Sequence, residues 1–153
     1  MPMSLEQFKY VSYIAAKDTD VWNALLDPKM TQQYWGHVNE SDWKVGSRWA
    51  HIRADGSEIE DVTGKVLLIH PPHHLVLSWQ ETGGHHGVMH SSQVSVALEN
   101  LGEDTRITVI HSDLQSGSLS YQDVSEGWPA VISNLKTLLE TGHVMASDIW
   151  SAN

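Results

Sequence analysis

Apolar and polar residues alternate over much of the stretch from Asn39 to His111, most cleanly in Leu75-Leu77-Trp79, Val94-Val96-Leu98 and Ile107-Val109. A period of two belongs to a half-buried strand, one face on a core and the other on solvent. The alternation predicts strands over about 38–43, 47–54, 59–70, 73–80, 88–99 and 104–111. The separators suit turns: Lys44-Val45-Gly46, Asp55-Gly56, Pro71-Pro72 and Asn100 to Glu103. Asp-Gly between alternating runs is a strong hairpin signal. An earlier run, Phe8 to Ala15, is rich in aromatic and β-branched residues and predicts one more strand.

The period lengthens to three and four after residue 120. Val124, Trp128, Val131, Ile132, Leu135, Leu138 and Leu139 line one face of a helix from about Tyr121 to Thr141, with Gly142 as its C-terminal cap. Pro129 falls inside this pattern. It suits a helix proper that starts near Gly127-Trp128, with Tyr121 to Glu126 as a separate helical lead-in. Two short helices are predicted between the first two strands. One carries Val21, Trp22, Leu25 and Leu26 and ends at Asp27-Pro28; the other runs from Pro28 to about Tyr34 and stops at Gly36. The expectation is one α+β domain over 1–153, a curved seven-stranded antiparallel sheet with the long C-terminal helix buried on it. One helix is too narrow to fill that concavity, so a cavity should remain between helix and sheet.

Composition narrows the function classes. The chain of 153 residues has no Cys, which removes thiolate catalysis and Cys-ligated metal centres. Its formal charge of −10 argues against a general nucleic-acid binder. No apolar run reaches the roughly 20 residues of a membrane span, and Met1 to Tyr10 has no apolar signal core; a cytoplasmic location is the expectation. The aromatics are skewed, with 7 Trp against 1 Phe, a supply that suits a core, a roomy pocket or an interface.

Strand parity gives the candidate site. Trp49 and His51 share a face of their strand, with Arg53 beside them; Trp79 faces inward with Leu75 and Leu77. His90 and Ser92 extend the inner face of Val94-Val96-Leu98, and His111 extends that of Ile107-Val109. With Trp128 from the helix, the candidate ligand-binding set is Trp49, His51, Trp79, His90, Ser92, His111 and Trp128. Equally, these Trp side chains could fill a core and the His side chains sit hydrogen-bonded at strand ends. These parities assume that no β-bulge intervenes.

Other chemistry is poorly supported. His85-His86 with His90, and His70 with His73-His74, are two histidine clusters at turns or strand ends, without a helical HExxH pair or an evident carboxylate behind them. Loop histidines are the expectation, with no metal and no cofactor. No GxSxG elbow and no phosphate loop occurs. Glu58, Glu60 and Asp61 read as a solvated acidic edge.

A set of ordered segments resembles a known family. They are Tyr13-Ile14-Ala15-Ala16, Val21-Trp22-Asn23-Ala24-Leu25, Gln33-Tyr34-Trp35-Gly36 and Ser41-Asp42-Trp43-Lys44-Val45-Gly46-Ser47. Gly64-Lys65-Val66-Leu67, Pro71-Pro72 with Leu75-Val76-Leu77-Ser78-Trp79, and Thr105-Arg106-Ile107-Thr108 with His111-Ser112 follow. Gly127-Trp128-Pro129-Ala130-Val131 with Ser133-Asn134-Leu135-Lys136 closes the set. Together they resemble the SRPBCC or START-like superfamily, in its branch named after the C-terminal domain of the activator of Hsp90 ATPase. The resemblance implies the helix-grip (START-like, Bet v 1-like) fold and brings no shared catalytic motif. The expected function is non-enzymatic binding of a small apolar or aromatic molecule between helix and sheet. A chaperone-associated role is the alternative the resemblance implies, and a hydrolase or cyclase using the same pocket is a further one.

Overall fold

The computed structural model describes residues 4–82 and 91–145. The elements run β1 (Leu5–Ile14), α1 (Asp18–Leu26), α2 (Pro28–Tyr34), β2 (His37–Ser41), β3 (Arg48–Arg53), β4 (Glu60–His70), β5 (His74–Glu81), β6 (Ser91–Asn100), β7 (Thr105–Gln115) and α3 (Leu119–Thr141). All seven strands form one antiparallel sheet in the order β1-β7-β6-β5-β4-β3-β2. Strands β2 to β7 form a meander, and β1 returns to pair with the last of them. This is the helix-grip arrangement. Among the described residues no helix is long and apolar enough to cross a membrane.

Local chemistry explains the turns and caps. In the Asp55-Gly56 turn, Asp55 Oδ1 accepts from Ser57 N at 2.9 Å, and Gly56 takes a φ of 89°. Helix α3 starts on Ser118, whose Oγ accepts from Tyr121 N at 3.0 Å, and stops on Gly142 at a φ of 82°. The helix matches the predicted span of about Tyr121 to Thr141, without the separate lead-in that Pro129 allowed. It is continuous from Leu119, and Pro129 lies within it, so Tyr121 to Glu126 is the first part of the same helix. Proline removes one backbone donor, but the buried stripe of Val124, Trp128, Val131, Ile132, Leu135 and Leu138 crosses it unbroken.

The core lies between α3 and the concave sheet face. Helices α1 and α2 close one end: Tyr34 Oη donates to Ala24 O at 2.8 Å, and the buried Asn134 of α3 donates to Tyr34 O at 3.1 Å. The far end of α3 is tied to β1, where Ala15 N donates to Glu140 Oε2 at 2.7 Å and Lys136 Nζ to Tyr13 O at 2.5 Å.

Among the described residues three bulges break the alternation. In β7 the pairing jumps from Phe8–His111 to Glu6–Leu114, with Asp113 at a φ of 60°. In β4, Asp61 and Leu67 are each an extra residue opposite the neighbouring strand. A bulge re-aims one side chain and shifts parity beyond it. Inward parity therefore holds as expected at Trp49, His51, Trp79, Ser92 and His111, which all precede or avoid a shift.

Candidate functional site

The sequence-derived set separates into two layers. The inner layer is sealed. Trp49 reaches across β4, where its Nε1 donates to Ser78 O of β5 at 2.8 Å. It can do so because the residue beneath is Gly64: a Cβ there would stand 2.6 Å from Trp49 Nε1 and collide with the Ser78 carbonyl. The strand pairing is interrupted at this point, and Ser78 Oγ instead accepts from Lys65 N at 2.8 Å.

His111 and Ser92 belong to the same layer. Trp128 Nε1 donates to His111 Nδ1 at 3.1 Å, so the ring proton sits on Nε2. His111 Nε2 then donates to Ser92 Oγ at 2.8 Å, and Ser92 donates weakly to Trp79 O at 3.4 Å. Every polar atom of this chain is used, and His111 is wholly buried. Burial pushes the His111 imidazolium down to about 4. Ser92, His111 and Trp49 do not line the main cavity; Trp49 borders only a void of about 30 Å³ beside it.

The outer layer is a cavity of about 380 Å³ between α3 and strands β2 to β5. Trp35, Trp79 and Trp128 wall it, with Val62, Val124 and Val131. The indoles of Trp35 and Trp128 meet at 5.3 Å and 61°, those of Trp79 and Trp128 at 5.8 Å and 52°. Gly127 supplies a bare patch of helix: a Cβ there would meet nothing within 4 Å. Trp79 Nε1 is buried without a partner among the described residues and closed off from solvent.

His51 is the polar centre of this layer. Asn39 Nδ2 donates to Leu25 O at 3.5 Å, which leaves Asn39 Oδ1 to accept from His51 Nδ1 at 2.6 Å. The lone pair of His51 thus lies on Nε2, which has no protein partner among the described residues, on a ring that lines the cavity. His37 stacks on His51 at 4.0 Å with the planes 5° apart, and Trp35 closes the ring edge-on at 4.7 Å. Burial, then the neighbouring His37, outweigh Asp61 and hold His51 well below its ordinary value, as a neutral ring.

A charged cluster forms the mouth. Asp61 accepts from Arg53 Nε at 2.8 Å and Arg53 Nη2 at 2.9 Å, and lies 2.8 Å from His37 Nε2. His37 Nδ1 faces Trp35 O at 3.1 Å, so both ring nitrogens meet acceptors. Burial alone would raise the Asp61 carboxyl, but the hydrogen bonds from Arg53 and His37 overcome it and hold the group below the usual range. Glu81, which accepts from Ser120 Oγ at 2.9 Å, and Asp123 of α3 also line the cavity.

The acidic edge is thereby corrected in part. Glu60 does pair at the surface, with Arg48 at 2.6 Å, but Asp61 is turned into the mouth by its bulge. Trp35, His37 and Asp61 are site residues that the sequence reading passed over. His37 pairs in register with Arg53, so the signal was one strand residue earlier than the predicted start at 38. His85, His86 and His90 lie outside the described residues. His74 Nε2 bonds Ser95 Oγ at 2.8 Å while His73 turns toward Asp18, and no group of three or more His, Asp or Glu among the described residues could hold a metal ion.

Comparison with known proteins places this geometry. The model of the family described as activator of Hsp90 ATPase homolog 1-like protein matches residues 15–140. No curated protein matches the sequence. A crystal structure of a protein from Mesorhizobium loti superposes with a TM-score of 0.75 at 19% identity, covering 88% of this chain and 97% of that one. An Hsp90 activator from Plasmodium falciparum gives 0.70 at 19% identity, over 91% and 97% of the two chains. DynU16, a protein in the dynemicin biosynthetic locus, gives 0.69 at 23% identity, over 90% of this chain and 48% of that one.

Proposed function

The chain belongs to the activator of Hsp90 ATPase homolog 1-like family, and within that family we propose that it is a cytoplasmic small-molecule-binding protein whose ligand lies between α3 and the sheet. The observation that carries this reading is the cavity of about 380 Å³ walled by Trp35, Trp79 and Trp128. Mostly apolar walls with a few fixed polar groups are what a small-molecule site requires, and this volume falls in the usual range. An aromatic ligand would gain by stacking and by the removal of apolar surface from water.

The test uses N-phenyl-1-naphthylamine, a neutral fluorescent aromatic. Its emission should rise on titration while the Trp emission is quenched. Gly127→Met should weaken binding at least tenfold, because the added side chain enters the cavity. Trp79→Leu should reduce the Trp response. Absence of binding, or binding indifferent to Gly127→Met, would remove the reading.

A second reading has support from the family itself and from the fold shared with the Plasmodium activator: association with an Hsp90-type chaperone. A stimulated ATPase rate of purified Hsp90, unchanged by Gly127→Met, would favour it.

A further inference from the structure

The charged side chains of the cavity wall are already engaged. Asp61 is bonded by Arg53 and His37, and Glu81 accepts from Ser120 Oγ. His51 adds another acceptor, the lone pair on Nε2. Trp79 Nε1 is a donor without a partner among the described residues, but it is closed off and offers nothing to the cavity. Against walls that are mostly apolar, the polar atom left to meet an occupant is therefore the His51 acceptor.

The acceptor on His51 is held in one direction. Asn39 fixes Nδ1 at 2.6 Å, His37 covers one face of the ring at 4.0 Å, and Trp35 abuts it at 4.7 Å. A lone pair so placed costs little further ordering when a ligand arrives. It costs free energy when left unmet by an apolar occupant. Because burial holds the ring neutral, it is a weak base and accepts a hydrogen bond rather than a proton.

We propose that the cavity selects planar aromatic molecules whose polar end is a hydrogen-bond donor, an O–H or N–H, that His51 Nε2 receives this donor, and that the corresponding carboxylates are rejected. The inference rests on the binding reading above and adds the chemical class of the ligand. A carboxylate carries no proton for Nε2 to receive, and it would set its charge against the lone pair of a neutral ring. A hydroxyl or N–H meets Nε2 while the flat remainder lies among Trp35, Trp79 and Trp128. A site built to bond one polar group discriminates most strongly against the analogue that lacks it.

The experiment is isothermal calorimetry of the full chain with 2-naphthol, its methyl ether 2-methoxynaphthalene, and 2-naphthoate. The expected order is naphthol tightest, the ether weaker by about tenfold, and naphthoate weakest. In His51→Phe the gap between naphthol and ether should close. Should that variant fail to fold, the order of the three ligands on the unsubstituted protein still decides the matter. Nitrogen NMR adds a second reading: the Nε2 resonance of His51 should move upfield with naphthol and not with the ether. Equal binding of naphthol and ether, or naphthoate bound as well as naphthol, overturns the inference. If Gly127→Met still abolishes that binding, the pocket reading survives. Failure of all three ligands and of N-phenyl-1-naphthylamine overturns both.

Discussion

At the scale of single residues, the strongest steric demand falls on Gly64. Its missing side chain is the space through which Trp49 reaches Ser78 O, and that bond replaces part of the β4–β5 pairing. The obstruction to a Cβ is a backbone carbonyl, which cannot swing aside as a flexible side chain would. Gly64→Ala should therefore destabilise by about 1–3 kcal/mol or more, the cost of overpacking a close-packed site. Equilibrium urea denaturation checks this, and an unchanged midpoint would show that the strands part without penalty. No sequence rule distinguishes this glycine from one in a turn, since the reason lies in a Trp 15 positions earlier and a carbonyl 14 positions later.

At the scale of elements, α3 was the most legible part of the chain. Its stripe over several turns gave both its existence and its buried face. Leu135 is wholly buried at mid-stripe, so Leu135→Ala should cost about 2–5 kcal/mol, measured as a lowered denaturation midpoint. The strands were legible to the degree that they alternate. Parity placed Trp49, His51, Trp79, Ser92 and His111 inward, and all are buried. It said nothing of which would face open space, because a buried indole or imidazole has the same parity whether its neighbour is a void or a side chain. Ser92 and His111 bond one another, while His51 Nε2 has no protein partner among the described residues. Asp61 was misplaced for a separate reason. Strict alternation from Val62 sends it outward, and only the bulge opposite β3 returns it to the mouth. Bulges depend on pairing between strands, which a period along one strand does not encode.

For the molecule as a whole, the two buried neutral histidines make stability depend on pH. His111 folds with its pKa lowered to about 4 from an ordinary 6.5, and His51 is lowered as well. Between those values the unfolded chain binds protons that the folded chain refuses. Stability then rises with pH, and is lost as pH falls below about 6.5. Each histidine contributes a slope of about 1.4 kcal/mol per pH unit, so His111 alone accounts for on the order of 3 kcal/mol by pH 4. Asp61 acts lower: its stabilisation is present above the ordinary carboxyl value of 3.8 and is lost as pH falls through its depressed one. Thermal midpoints should hold from pH 7.5 to about 6.5 and fall from there to pH 4, and His111→Gln should flatten the fall. A flat profile above pH 4.5 would mean that the rings titrate freely in the fold.

Gly127 sets one further property of the whole molecule. It stands on the cavity wall, and a Cβ there would meet no atom of the described residues within 4 Å. Substitution at this position would take room from the cavity, and Ala or Leu would also favour the helix more than Gly does. Capacity and folding stability are thus governed by different positions. A lineage carrying this scaffold can drift in cavity size through substitutions at one codon without approaching the threshold below which the fold is lost.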